Sequence, residues 1–216
     1  MRAGRVGSRS CGRTARPSVS APVLAYVEAA VGERLSPEAA AWIRDRLRPL
    51  HVEAGQPFVA VGDVCRAVAF VASGLVRVLA DRDGDSRTVY FAPEGTFVSE
   101  YESFLTDVPA RLRIEAVEPT DLLVLSRETV REAYARWPWG DRLGRVIAER
   151  LFVEANARLV SFYLDSAETR YLALEASRPD LLQRVPQHMI AEYVGVRPPS
   201  LSRIRARLAE RGSSPG

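Results

Sequence analysis

Lysine is absent from this 216-residue chain: all thirty basic side chains are arginine. We read that usage as the imprint of a biased genome rather than as a phosphate preference. Histidine and cysteine are scarce, with only His51, His188, Cys11 and Cys65. Two cysteines, one in a polar stretch and one in an apolar run, cannot build a disulfide framework. Four such residues do not assemble a metal cluster either, so no metal is expected. No run approaches the roughly 18 uninterrupted apolar residues of a membrane span. The first twenty residues are basic but hold no apolar block for a signal peptide. A cytoplasmic protein without a membrane partner is expected. A Ser-His-Asp set and a phosphate-cradling glycine loop are also missing, which argues against an enzyme.

What is present is an ordinary globular balance, 47% apolar and 26% charged, in a length that excludes a large multidomain enzyme. The net charge of +3 is unevenly spread. Residues 1–20 carry +5, residues 21–180 carry −6 and residues 181–216 carry +4. An acidic body with a basic C-terminal unit is the layout of a protein that offers one end to a polyanion.

Residues 1–20 are rich in Arg, Ser and Gly without apolar periodicity, and are expected to form a disordered basic tail. From Pro22 the pattern turns helical, and Ser36-Pro37-Glu38 predicts the capped start of a second helix that Pro49 closes. Between Leu50 and Ser126 short apolar runs alternate with glycine and proline. Seven or eight strands at that spacing, without room for parallel crossovers, predict an antiparallel sandwich or jelly roll. Asp81 to Asp85 reads as a hairpin tip, and Phe97 to Arg111 as a long insertion with one helical turn around Glu100 to Leu105.

After a short helix over Arg127 to Trp137, Pro138 restarts the chain into a long helix to about Asp165. Leu143, Ile147, Leu151, Ala155, Leu159 and Phe162 keep to one stripe, longer than a small sheet can cover. A second copy of the helix is expected to cover it, making a homodimer. Further on, Pro186 starts a two-turn helix with Ile190, Ala191 and Val194 inward, and Gly195 permits a tight turn. Pro198-Pro199-Ser200 launches another helix with Leu201, Ile204 and Leu208 inward. This is a helix-turn-helix. Its outward face would show Ser200, Arg203 and Arg207, with Ser202 and Arg205 flanking, suited to base edges and phosphates of double-stranded DNA. Paired about the long helix, two such units would read an inverted repeat.

The order of these units resembles the Crp/Fnr family of bacterial transcription regulators from Pro22 to Leu208. The resemblance is carried by Ser103-Phe104-Leu105-Thr106, Ile114-Glu115-Ala116, Arg184-Val185-Pro186-Gln187 and Ser200-Leu201-Ser202-Arg203-Ile204-Arg205. It implies an α+β architecture in three units: a cyclic-nucleotide-binding-like jelly-roll sensor over 21–137, a dimerisation helix over 138–165, and a DNA-binding helix-turn-helix domain over 166–216. It also implies a small-molecule ligand, with RNA polymerase as a further partner on DNA. Nucleotide-binding members hold their ligand with a Gly-Glu pair and an Arg followed by a small hydroxyl residue. Here Ser99-Glu100 and Arg111-Leu112 stand at those places, so the glycine and the hydroxyl are missing and the cyclic-nucleotide motif is incomplete. Gln187, Arg197, Ser200 and Arg203 are the implied readers of DNA, Pro198-Pro199 standing where many members have charged residues. The short segment after Leu208 leaves little room for the usual wing. The alternative to a DNA reader is a ligand-binding module of cyclic-nucleotide type that acts through protein contacts.

Overall fold

The computed structural model describes residues 20–82 and 85–213. Nearly all of the expected basic tail, Cys11 with it, and the centre of the expected hairpin tip lie outside the described residues. Two helices come first, α1 (Ala21–Val31) and α2 (Pro37–Arg46). The Ser36 hydroxyl accepts from Ala39 N–H at 3.1 Å, and Pro37 follows at the first helical position, as the spacing predicts. Leu47 is extended and turns the chain into the sheets.

Eight strands follow: β1 (Arg48–Val52), β2 (Pro57–Val59), β3 (Ala67–Ser73), β4 (Leu75–Arg82), β5 (Asp85–Pro93), β6 (Phe97–Val98), β7 (Arg113–Ala116) and β8 (Thr120–Ser126). They form two four-stranded sheets, β1-β8-β3-β6 and β2-β7-β4-β5, with every pairing antiparallel. Inward residues from both sheets, among them Val52, Ala69, Val71, Val76, Ile114 and Leu122, meet in one core. Their modest size lets the two sheets approach closely, and the jelly roll expected from the alternation is the result.

A second set of large rings packs outside that sandwich. Phe70 and Leu123 turn to the other face of the first sheet, where α1, α2 and the start of the long helix bury them with Trp42 and Trp139. Tyr26 and Phe70 each meet Phe97 edge-on at 5.1 Å. The helical elements are α3 (Tyr101–Thr106), α4 (Arg127–Arg136), α5 (Pro138–Leu164), α6 (Ala167–Ser177), α7 (Pro179–Arg184), α8 (Gln187–Val194) and α9 (Pro198–Ser213). Ser126 and Ser166 cap α4 and α6 through Thr129 and Thr169 N–H.

A third core belongs to both halves of the chain. Tyr171, Leu174, Leu181, Ile190, Val194 and Leu201 pack with Leu75 of β4 and Phe91 of β5. Strand β4 is therefore covered on both faces: Val76 and Val78 enter the sandwich while Leu75 joins the third core, and Leu79 is also buried. That double burial explains its nearly unbroken apolar run.

At the edge of the first sheet, His51 of β1 stands opposite Asp121 of β8, with Nδ1 2.7 Å from Oδ1. The Asp121 contact, aided by Glu53, holds the His51 imidazole above its ordinary pKa of 6.5. A raised folded-state pKa contributes stability that is fully present below pH 6.5 and is lost as pH rises through the higher value. An NMR titration is expected to place His51 above 6.5 in the parent and to return it toward 6.5 in Asp121→Asn.

Candidate functional site

The insertion between β6 and β7 is held by buried polar contacts. Glu100 caps α3, its Oε2 accepting from Ser103 N–H at 2.7 Å. Ser103, fully buried, accepts from Cys65 N–H at 2.9 Å and donates to Val108 O at 2.6 Å. Arg127, at the start of α4, donates to Asp107 and to the carbonyls of Cys65 and Ser103. One guanidinium thus closes the end of α3 onto the sheet. It lowers the Asp107 pKa by hydrogen bonding.

The residues that the resemblance implies for a nucleotide have the following settings. The Ser99 hydroxyl donates to Ala67 O at 3.0 Å and lies 3.3 Å from Cys65 Sγ. Glu100 is buried as a helix cap, whereas Arg111 is exposed beside the half-buried Leu112. No hydrogen bond or ion pair joins Arg111 to Glu100 among the described residues. One oxygen of the Glu100 carboxylate satisfies a helix terminus.

The helix-turn-helix is formed by α8 and α9. Gly195 ends α8 in the left-handed region at φ 83°, its N–H donating to Ala191 O at 2.9 Å and Glu192 O at 3.1 Å. Leu201 and Ile204 are buried against Ile190, Ala191 and Val194. On α9, Ser202, Arg203 and Ala206 are exposed, as are Arg197 in the turn and Gln187 at the start of α8. Arg203 leans back along its own helix, Nη2 to Ser200 Oγ at 3.3 Å. One expectation needs correction, since Ser200 is half-buried; Arg207 is exposed as expected and also pairs with Glu168 of α6 at 2.7 Å. Arg211 pairs with the same carboxylate at 2.7 Å. Arg205 turns to the opposite flank, lining a small cavity with Tyr171 and Gln187.

The stripe on α5 also divides. Leu143 and Ile147 are half-buried by their own chain, and Leu143 joins the core around Trp139. Leu151, Ala155 and Leu159 are exposed. Phe162 bears on the helix-turn-helix instead: its ring lies under Arg158 at 4.9 Å and Arg170 at 4.7 Å, and against Gly195. The exposed apolar surface of α5 includes Leu151, Leu159 and Phe162 of the expected line and extends to Phe152, Val153, Val160, Tyr163 and Leu164 beside it. Tyr163 and Leu164 are 80% and 79% exposed.

Sequence reasoning missed a joint between the sheet and the helix-turn-helix. Arg77 of β4 faces Glu115 of β7 across the ladder, and Nη2 lies 2.6 Å from Oε1. Its Nη1 reaches Glu192 of α8 at 3.0 Å, and the Thr88 hydroxyl donates to the same Glu192 oxygen at 2.8 Å. Nearby, Arg158 of α5 donates to Thr88 O and Tyr193 O and stacks over the Tyr193 ring at 3.9 Å. Burial pushes its pKa down. At the rim, Arg184 pairs with Glu94 at 2.8 Å and also with Glu118. A cleft of about 320 Å³ opens beside the joint, lined by Tyr90, Glu154, Arg158, Arg170 and Tyr193. The only signal for Arg77 was its place inside the run Leu75-Val76-Arg77-Val78-Leu79.

Residues 49–136 match the cyclic nucleotide-binding domain family. No curated protein matches the chain. Among solved structures it is similar to the catabolite activator protein of Thermus thermophilus, with 25% identity over 87% of this chain and 90% of that one, at a TM-score of 0.54. The CLP regulator of Xanthomonas campestris, described as responsive to c-di-GMP, shares the fold at 18% identity, TM-score 0.66, over 82% and 96% of the two chains. A protein of Eubacterium rectale described as a regulator of the Crp/Fnr family shares it at 17% identity, TM-score 0.67, over 82% and 85%. Among the described residues no helix is long and apolar enough to cross a membrane.

A Cβ built on Gly195 would lie 2.5 Å from Phe162 Cε1, in a backbone conformation that already disfavours a side chain. Gly195→Ala is expected to cost about 2 kcal/mol in chemical denaturation. Combining it with Phe162→Leu should recover the part due to crowding.

Proposed function

We propose that the chain, which is similar to Crp/Fnr transcription regulators, works as a homodimer that reads an inverted repeat in double-stranded DNA. The jelly roll is the sensing unit in this reading, for a small ligand whose chemistry Ser99, Glu100 and Arg111 do not specify. The observation that carries the proposal is the exposed face of α9, with Arg203 outward and Arg197 in the preceding turn, set on the tight Gly195 turn. A guanidinium there has the reach to grip a guanine edge with two hydrogen bonds. Arg207 and Arg211 meet phosphates only by leaving Glu168, so their contribution is smaller than two free cations would give.

Dimerisation is supported by the uncovered surface of α5. Phe152 and Leu159, like Val153 and Val160, are seven residues apart, and Tyr163 follows Val160 by three, so these side chains share one side of the helix as in a two-helix seam. A two-fold axis along that seam would carry two copies of α9, and successive major grooves on one face of DNA lie about 34 Å apart.

The test is a gel shift of the full chain against fragments of its own genome at two salt concentrations. A specific, salt-sensitive complex is expected, and its absence would favour the module that acts through protein contacts. Arg203→Ala should cost about 1 to 3 kcal/mol on the preferred site and relax the preference at one base pair of each half-site. Equal loss on a scrambled site would remove Arg203 as a base reader. For assembly, the Phe152→Glu, Leu159→Glu double variant is expected to run as a monomer in light scattering. A dimer that survives would place the interface away from α5.

A further inference from the structure

We propose that Arg77 and Glu192 form a latch that seats the helix-turn-helix on the sensor sheet and ties its position to the strand leaving the α3 insertion; the regulatory meaning of this latch rests on the DNA-reading proposal above. The members are arranged in series. Arg113 opens β7 two residues after Arg111, and its Nη1 lies 3.0 Å from Glu115 Oε2. The other oxygen of Glu115 takes Arg77, and the second arm of Arg77 takes Glu192 of α8. A polar line thus runs from the insertion, through two strands, to the first helix of the DNA-binding unit.

Burial gives this line its directional demand. The side chains of Arg77 and Glu115 are 8% and 6% exposed, and that of Glu192 is 18% exposed. Charges so poorly hydrated tolerate little displacement, because each must keep its partner to offset lost hydration. Surrounding groups balance the cluster: Asp81 pairs with Arg113, while Arg158 approaches through the carbonyl of Thr88. Glu192 is the one member contributed by the helix-turn-helix. Without it Arg77 still keeps Glu115, so the sensor sheet retains a paired cation. Leu75, Phe91 and the Arg184 pairs add adhesion, but the Arg77 fork also fixes orientation. In the latched position Gln187, Arg197, Ser202 and Arg203 remain exposed, so the latch orients the reading face without covering it.

Hydrogen exchange on the full-length protein tests the latch without DNA. Glu192→Arg places a second guanidinium against Arg77. Exchange should rise about tenfold or more across residues 88–92 and 187–194, with residues 201–208 of α9 and strands β3 and β8 at parent rates. Glu192→Gln should give a smaller rise at the same places. Arg113→Ala, on the far side of Glu115, should also raise exchange in α8, by about threefold. Parent rates at the joint in Glu192→Arg would overturn the latch, and a rise spread over both units would make the pair ordinary structural glue. An unchanged α8 in Arg113→Ala would end the line at Glu115 and overturn the tie to the insertion. On DNA, Glu192→Gln should change affinity for the selected inverted repeat while leaving a single half-site unaffected; equal affinities for both DNAs in parent and variant would overturn the orienting role. If the parent binds no DNA specifically, the functional reading fails while the exchange result stands by itself.

Discussion

A buried arginine with two carboxylates from different parts of the chain constrains everything around it. Arg77 sits in a strand covered on both faces, and its charge is kept there by Glu115 from the neighbouring strand and Glu192 from a helix more than a hundred residues later. Dehydrated charges of this kind add little net stability, but they penalise every arrangement in which one partner is missing. The helix-turn-helix therefore has a defined seat on the jelly roll, and Leu75 and Phe91 pack with its core at that seat.

The same seat explains how α5 divides its surface. Toward its N-terminus the helix buries its own Trp139 against α1, α2 and the first sheet; near its C-terminus Arg158 and Phe162 face the helix-turn-helix, with Arg170 of α6 beside them. What remains is the side bearing Phe152, Val160 and Tyr163, too apolar to be left in water without consequence. A helix that serves several neighbours at once divides its apolar surface among them, and part of that surface is left exposed.

The α3 insertion shows a related economy. Residues at the places where a nucleotide would be held are used to build the insertion itself: Glu100 caps its helix and Ser99 bonds to strand β3. Arg127 then binds the far end of that helix to the start of α4.

Local and periodic features were legible in the amino-acid order because short-range physics sets them. Ser36-Pro37 and Ser166 start helices, Gly195 turns one, and alternating small apolar residues make strands that must bury one face. The sandwich, the long helix and the helix-turn-helix all followed from those rules. Partner choice over long distances was not legible. An arginine inside an apolar strand reads as solvent-facing until its carboxylates are located, and Arg207 reads as a free cation until Glu168 is found beside it. Which side of α5 stays uncovered was likewise settled only in three dimensions, because a helical period says which residues share a face but not which neighbour that face will meet.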